Sequence, residues 1–197
     1  MNKKGLSTRQ LTSLALLTAI SFILGFIETT LPLIPNFSKI DISALPVLIG
    51  SFAYGPISGL IITLAKNLLR LPFSETAGVG QLADFLIVGS FAFTAGLVYK
   101  YKKSRAGALL GCLLGTISIA IVGALANKYL LIPFFSKTTP IEKIIELYAR
   151  VNSLIVDVNT YILYAAIPFN LFKGIVISLI TILIYKKISI LLKGRNN

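Results

Sequence analysis

The chain has no histidine and one cysteine, Cys112, set within an apolar run. Without histidine, Ser-His-Asp triads and His-based zinc sites are excluded. A lone cysteine excludes an internal disulfide and most thiolate metal sites. Charge is scarce as well: 13% of the 197 residues are charged and only 7 are acidic, where a soluble domain is about one quarter charged. There is no G-x-x-x-x-G-K-[ST] loop, so ATP is not hydrolysed here by the usual phosphate cradle. Neither a helix-borne pair of acids nor a serine beside an evident base is visible, which disfavours an intramembrane enzyme and leaves no catalytic residue to name. No metal site and no cofactor are expected. Nor is there an internal repeat or a second domain, so residues 1–197 are expected to form one transmembrane unit.

What the chain does have is apolar length. Hydrophobic residues make up 55% of it and the mean hydropathy is +0.85, which predicts an all-α integral membrane protein. Six transmembrane helices are expected, near residues 8–27, 44–53, 57–70, 81–99, 106–132 and 161–187. Ser7-Thr8-Arg9-Gln10 matches a capping box at the first start. A signal peptide is the competing reading there, but the 17 residues of 11–27 exceed a usual signal core and no small-residue cleavage site follows. The second and third runs are short of the ~20 residues of a straight crossing; two spans are preferred over a re-entrant hairpin. Gly107, Gly111 and Gly115 form a stripe on the fifth, expected to pack within the chain rather than in a dimer. Pro133 is expected to stop that helix. Thr139-Pro140-Ile141-Glu142 predicts a second capping box, opening a short amphipathic helix that carries Ile141, Ile144, Ile145 and Tyr148 on one face. It is expected to lie on the surface or to cover a cavity.

The formal net charge of +12 would suggest nucleic acid in a soluble protein, but its placement argues for topology instead. Lys3, Lys4, Arg9, the basic turn at 100–105 and the tail hold 11 of the 19 basic residues and none of the acids. Glu28, Asp41, Glu75, Asp84, Glu142, Glu146 and Asp157 all fall to the other side. The positive-inside rule then puts both termini in the cytoplasm and the three long loops outside. A lipid bilayer is the expected surrounding; no nucleic-acid partner is expected.

The stretch Ile167-Pro168-Phe169-Asn170-Leu171-Phe172-Lys173-Gly174 lies inside the last apolar run. Polar groups at such depth need a partner, a wet cavity or a ligand. Asn170 and Lys173 share a helix face, and Pro168 deprives the Tyr164 carbonyl of its helical donor, predicting a bend. Binding site and structural tie stand level on these residues alone. Asp41, Lys66, Asn67 and Asn127 fall toward the same outer half, so the polar residues converge on an outward-facing pocket in a protein without its own motor.

These residues resemble a family. Ala15-x-x-x-Ala19, Lys39-Ile40-Asp41-Ile42-Ser43-Ala44-Leu45-Pro46, Phe52-Ala53-Tyr54-Gly55-Pro56, Lys66-Asn67-Leu68-Leu69, Asn127-Lys128-Tyr129 and the 167–174 block are similar to the riboflavin-specific (RibU) group of substrate-binding S components of energy-coupling factor (ECF) transporters. The resemblance implies riboflavin as transported substrate, with a transmembrane coupling subunit and two cytoplasmic ATPases as partners, in a bacterial cell membrane. It implies Asn127, Asn170, Lys173, Leu45, Asp41 and Asn67 as substrate-binding candidates, and Ala15 and Ala19 as the contact with the coupling subunit. Asn127 and Asn170 would serve the polar ring edge, since an amide donates and accepts together. Lys173 would meet a ring carbonyl or a ribityl hydroxyl, or else pair with Asp41 or Asp84. Residues 28–43 would act as a lid. An S component for another vitamin, or a ligand-free accessory subunit, remains the alternative.

Overall fold

Ser7 sets the start of the first helix. Its hydroxyl accepts from the Gln10 N–H at 3.3 Å while the Gln10 side chain accepts from the Ser7 N–H at 3.0 Å, the reciprocal box that the sequence predicts. Removing it in Ser7→Ala is expected to lower stability by about 1 kcal/mol, read as a lower thermal midpoint in detergent. Helix α1 then runs Thr8–Leu24. This computed structural model describes residues 7–30 and 39–193; the expectations for Lys3, Lys4, Arg195 and for 31–38 of the first loop lie outside the described residues.

The rest is helical except for one antiparallel ladder of two residues on each side, β1 (Thr29–Thr30) against β2 (Lys39–Ile40). The purely α expectation is corrected there; Thr29, Thr30 and Ile40 are β-branched types that suit extended chain. Helix α2 (Ala44–Tyr54) and helix α3 (Pro56–Arg70) meet at Gly55, whose φ of 100° lies where other residues are strained. Helix α4 is Val79–Tyr101 and α5 is Arg105–Ala126. A π turn over Asn127–Leu131 joins α5 to α6 (Ile132–Phe135). Helix α7 (Ile141–Ala149) precedes α8 (Val158–Tyr161), a second π turn (Ile162–Ala166) and α9 (Ile167–Lys193).

Both π turns sit one residue ahead of a proline, and this corrects two expectations. The Ile132 N–H reaches back to the Asn127 carbonyl, and the Ile167 N–H to the Ile162 carbonyl. Proline removes a donor and its ring crowds the carbonyl one turn back. Widening the turn ahead of it accommodates both, so Pro133 does not stop its helix and Pro168 opens α9 directly after a widened turn. The expected capping box at Thr139 does not form. Pro140 stays extended at ψ 139°, so α7 opens at Ile141 and no side chain caps it. A box that the sequence reading passed over holds α8 instead: the Thr160 N–H donates to Asp157 Oδ1 at 2.7 Å and the Asp157 N–H to Thr160 Oγ1 at 2.9 Å.

Three helical stretches, Val79–Tyr101, Arg105–Phe135 and Val158–Ile184, are long and apolar enough to cross a membrane. Their outward positions recur one turn apart: Leu109, Leu113, Ile117 and Ile121 on α5; Phe172, Ile175, Leu179 and Leu183 on α9. The shorter α3 carries the same kind of stripe in Ile57, Ile61, Leu64 and Leu68. Exposed aliphatic stripes on a protein of this composition face lipid. Inside, Leu48, Ile62, Val88, Phe91, Ile119 and Ile177 build the main core. The glycine stripe packs within the chain, as expected. A methyl on Gly111 would sit 2.7 Å from the Ala95 carbonyl oxygen, and one on Gly115 2.7 Å from the Phe91 ring, so α4 and α5 approach closely. A second, smaller core of Ile132, Ile144, Tyr148, Ile155 and Tyr161 tucks α7 against the ends of the long helices.

Candidate binding site

Asn170 and Lys173 are both buried on α9, 3% and 7% exposed. The Asn170 Nδ2 donates to the Ala166 carbonyl at 2.8 Å, and its amide lies flat on Gly123 of α5. One turn further along α5, Asn127 Nδ2 donates to the Gly123 carbonyl at 2.8 Å, while its Oδ1 accepts from the Tyr161 hydroxyl at 3.0 Å. Gly123 thus brings the two predicted asparagines onto neighbouring turns. Tyr161 stacks edge-on with Tyr148 of α7, ring centroids 4.6 Å apart. Asn127, Leu131, Ile132, Phe135, Ile144, Tyr148 and Tyr161 enclose a cavity of about 20 Å³, room for roughly one water. Helix α7 covers a cavity, as its amphipathic pattern suggests. Tyr161 and Tyr148 were not singled out as contacts by the sequence reading; the signal that locates Tyr161 is the Asp157-x-x-Thr160 box directly before it.

One turn along α9 the chemistry changes from amides to charges. Lys173 Nζ lies 3.2 Å from Asp41 Oδ2, each side chain 9% exposed. Of the two pairings weighed from the sequence, Asp41 is the one made. Asp41 Oδ1 accepts from the Ser43 N–H at 2.7 Å. Burial alone would raise the Asp41 carboxyl, but the Lys173 and Lys66 ammoniums and the Ser43 donors outweigh it and hold the group well below the usual carboxylate range. Ser43 is the hub of the cluster. Its hydroxyl accepts from Lys66 Nζ at 2.7 Å and its carbonyl from the Ser21 hydroxyl of α1 at 2.6 Å. Lys66, fully buried, also pairs with Asp84 of α4 at 2.9 Å. Lys66 therefore ties down the end of the first loop, as expected. Asn67 does not: it donates to Asp84 Oδ2 at 2.8 Å and to the Thr63 carbonyl at 2.9 Å. The other end of that loop is held by Glu28, 2.6 Å from Arg70, whose guanidinium lies over the Phe26 ring.

The remaining predicted residues are spread out. Leu45 is half-buried at the edge of the main core, three residues past the Ile42 carbonyl that accepts its N–H. Ala15 and Ala19 are exposed on α1, on the side away from its buried Leu14, Leu17, Thr18 and Ser21. Asn127, Asn170, Lys173 and Asp41 thus form one continuous polar face, with Asn67 joined to it only through Asp84 and Lys66.

A family model for the ECF transporter, substrate-specific component, matches residues 9–185. The chain belongs to this family. Its members are transport subunits, not enzymes, and this is a membrane protein. Among its relatives is a riboflavin transporter RibU from Staphylococcus aureus (strain TCH60), 37% identical over 94% of this chain and 93% of the relative. A riboflavin transporter FmnP from Bacillus subtilis (strain 168) is 28% identical over 93% of each. A solved structure of the S component of a bacterial ECF transporter superposes with a TM-score of 0.73 at 34% identity, covering 94% of this chain and 98% of that one. The fold is that of an ECF S component.

Proposed function

We propose that this protein captures riboflavin at the outer face of a bacterial plasma membrane and delivers it for uptake, as the substrate-binding subunit of an ATP-driven ECF transporter. The chain lacks a phosphate-binding loop, so energy comes from two partner ATPases through a transmembrane coupling subunit. In this reading all six predicted spans cross the bilayer as one unit, with both termini cytoplasmic. The exposed Ala15 and Ala19 allow the coupling subunit's helices to approach α1 closely. Residues 28–43, anchored at Glu28, Asp41 and Ser43, serve as the lid that excludes water from bound ligand.

The observation that carries this reading is the row of donors and acceptors along one buried face, Asn127, Asn170 and Lys173. Riboflavin is uncharged, with one apolar ring edge and one edge of carbonyls and nitrogens. The two amides match the polar edge by donating and accepting together; Lys173 donates to a ring carbonyl or a ribityl hydroxyl. Leu45, with neighbouring aliphatics, lines the ring slot. Asn67 belongs to the supporting network around Asp84. The aromatic pair Tyr148 and Tyr161 offers the apolar wall.

Titrating riboflavin into purified protein, with its own fluorescence as readout, tests the reading. One-to-one quenching is expected, weakened at least about tenfold (~1.4 kcal/mol) in Asn170→Ala and in Lys173→Ala. Folded protein that fails to quench rejects riboflavin and leaves another vitamin as the cargo. Quenching untouched by both substitutions moves the site elsewhere.

A further inference from the structure

The charges beneath the proposed site cancel. Lys173 is matched by Asp41 and Lys66 by Asp84, two cations against two anions within a chain that carries +12 overall. The neighbouring Arg70 is matched by Glu28 at 2.6 Å. Lys128 is the nearby cation that lacks a carboxylate in these pairings. It is exposed and donates to the Asn159 side chain at 3.0 Å, where water screens it. Burying ions costs several kcal/mol each even after relaxation. A single buried lysine facing a neutral ligand would therefore be less costly if it had no charge to match, or if an apolar residue replaced it. The chain instead keeps the lysine and supplies a carboxylate to it from the first loop.

We propose that Asp41 sets the charge selectivity of the site: by neutralising Lys173 it admits the uncharged flavin and disfavours the flavin's phosphate ester. This rests on the riboflavin reading above. A phosphate monoester brings about −1.5 to −2 charges at neutral pH. Next to a buried carboxylate that charge is repelled, and the lysine that would attract it is already held at 3.2 Å. Substituting Asn for Asp41 keeps an oxygen acceptor for the Ser43 N–H, so the loop hub is retained. It also turns an amide N–H₂ toward Lys173, freeing the ammonium for an anion.

The test is a pair of titrations, riboflavin and flavin mononucleotide, with flavin fluorescence quenching as readout and thermal midpoints recorded for each variant. Wild-type protein is expected to prefer riboflavin. In D41N the preference should move toward the phosphate ester by about tenfold, or ~1.4 kcal/mol. D41E, which keeps the charge, should leave the ratio near the wild-type value. K173Q, which leaves Asp41 uncompensated, should move the ratio the other way, and this arm stands even if D41N does not fold. A ratio unchanged in both D41N and K173Q, with both flavins weakened alike, makes Asp41 a purely structural anchor and overturns the proposal. Equal affinity of the wild type for the two flavins overturns it too. Wild-type protein that binds neither flavin removes the riboflavin reading and this inference with it.

Discussion

Lys66→Met is expected to destabilise the protein by about 3 kcal/mol, the loss typical of breaking a buried ion pair from one side. Lys66 is fully buried and donates to Ser43 Oγ while pairing with Asp84. Methionine fills much of the same volume but leaves the Asp84 carboxylate with only the Asn67 amide, and Ser43 without its donor. Because Asp84 is 23% exposed, water recovers part of the loss, which places the figure at the lower end of the usual range. The readout is the thermal midpoint of detergent-solubilised protein. The decisive comparison is K66M/D84L. Replacing both partners with apolar side chains removes the stranded charge and should restore most of the stability. If the double variant is as unstable as K66M, the loss arises from Ser43 and the loop, not from the carboxylate. If K66M melts like wild type, the ion pair carries no structural weight.

Gly123→Ala is expected to cost more in ligand binding than in stability. Its new methyl would lie 2.5 Å from Asn170 Cγ, closer than carbon atoms approach, so the Asn170 amide must turn away or α5 and α9 must part. Overpacking of this kind typically costs about 1–3 kcal/mol of stability. The amide, however, is held in place by its bond to the Ala166 carbonyl, and the Gly123 carbonyl is also the anchor of Asn127. One methyl therefore disturbs both predicted amides. Flavin affinity is expected to fall by about a hundredfold (~2.7 kcal/mol), measured by quenching, alongside a modest drop in thermal midpoint. Unchanged affinity in folded protein would show that neither amide touches the flavin. Gly111→Ala, which crowds the Ala95 carbonyl oxygen instead, provides the contrast: packing suffers there with no amide nearby.

Asn170 and Lys173 were legible because an amide and a cation inside an apolar run need partners whatever the fold. The glycine stripe was legible for a similar reason, since small residues at that spacing have little other use than close packing. The partner of Lys66 was not. Ser43 is 23 residues away and meets it only once α1, α3 and the first loop are assembled, so no local pattern marks it. Pro133 and Pro168 show a different limit. Proline says that a helical hydrogen bond is missing, but a stop, a bend and a widened turn all satisfy that condition, and the surrounding packing chooses. Thr139 illustrates a shift of one position: the box residues are present, yet Pro140 remains extended and the helix begins after it.

The two widened turns have a consequence for the family's length variation. A π turn is the equivalent of one residue inserted into a regular helix, and each residue rotates the chain by about 100° about the helix axis. Deleting a single residue from 128–131 would restore a regular helix there while swinging Asn127 and Gly123 round relative to Ile132 and Pro133, off the face shared with Asn170. The same holds for 162–166, between Tyr161 and Asn170. Single-residue gaps within these two segments should therefore be far less tolerated than gaps of equal size at 102–104, where the chain merely turns between α4 and α5.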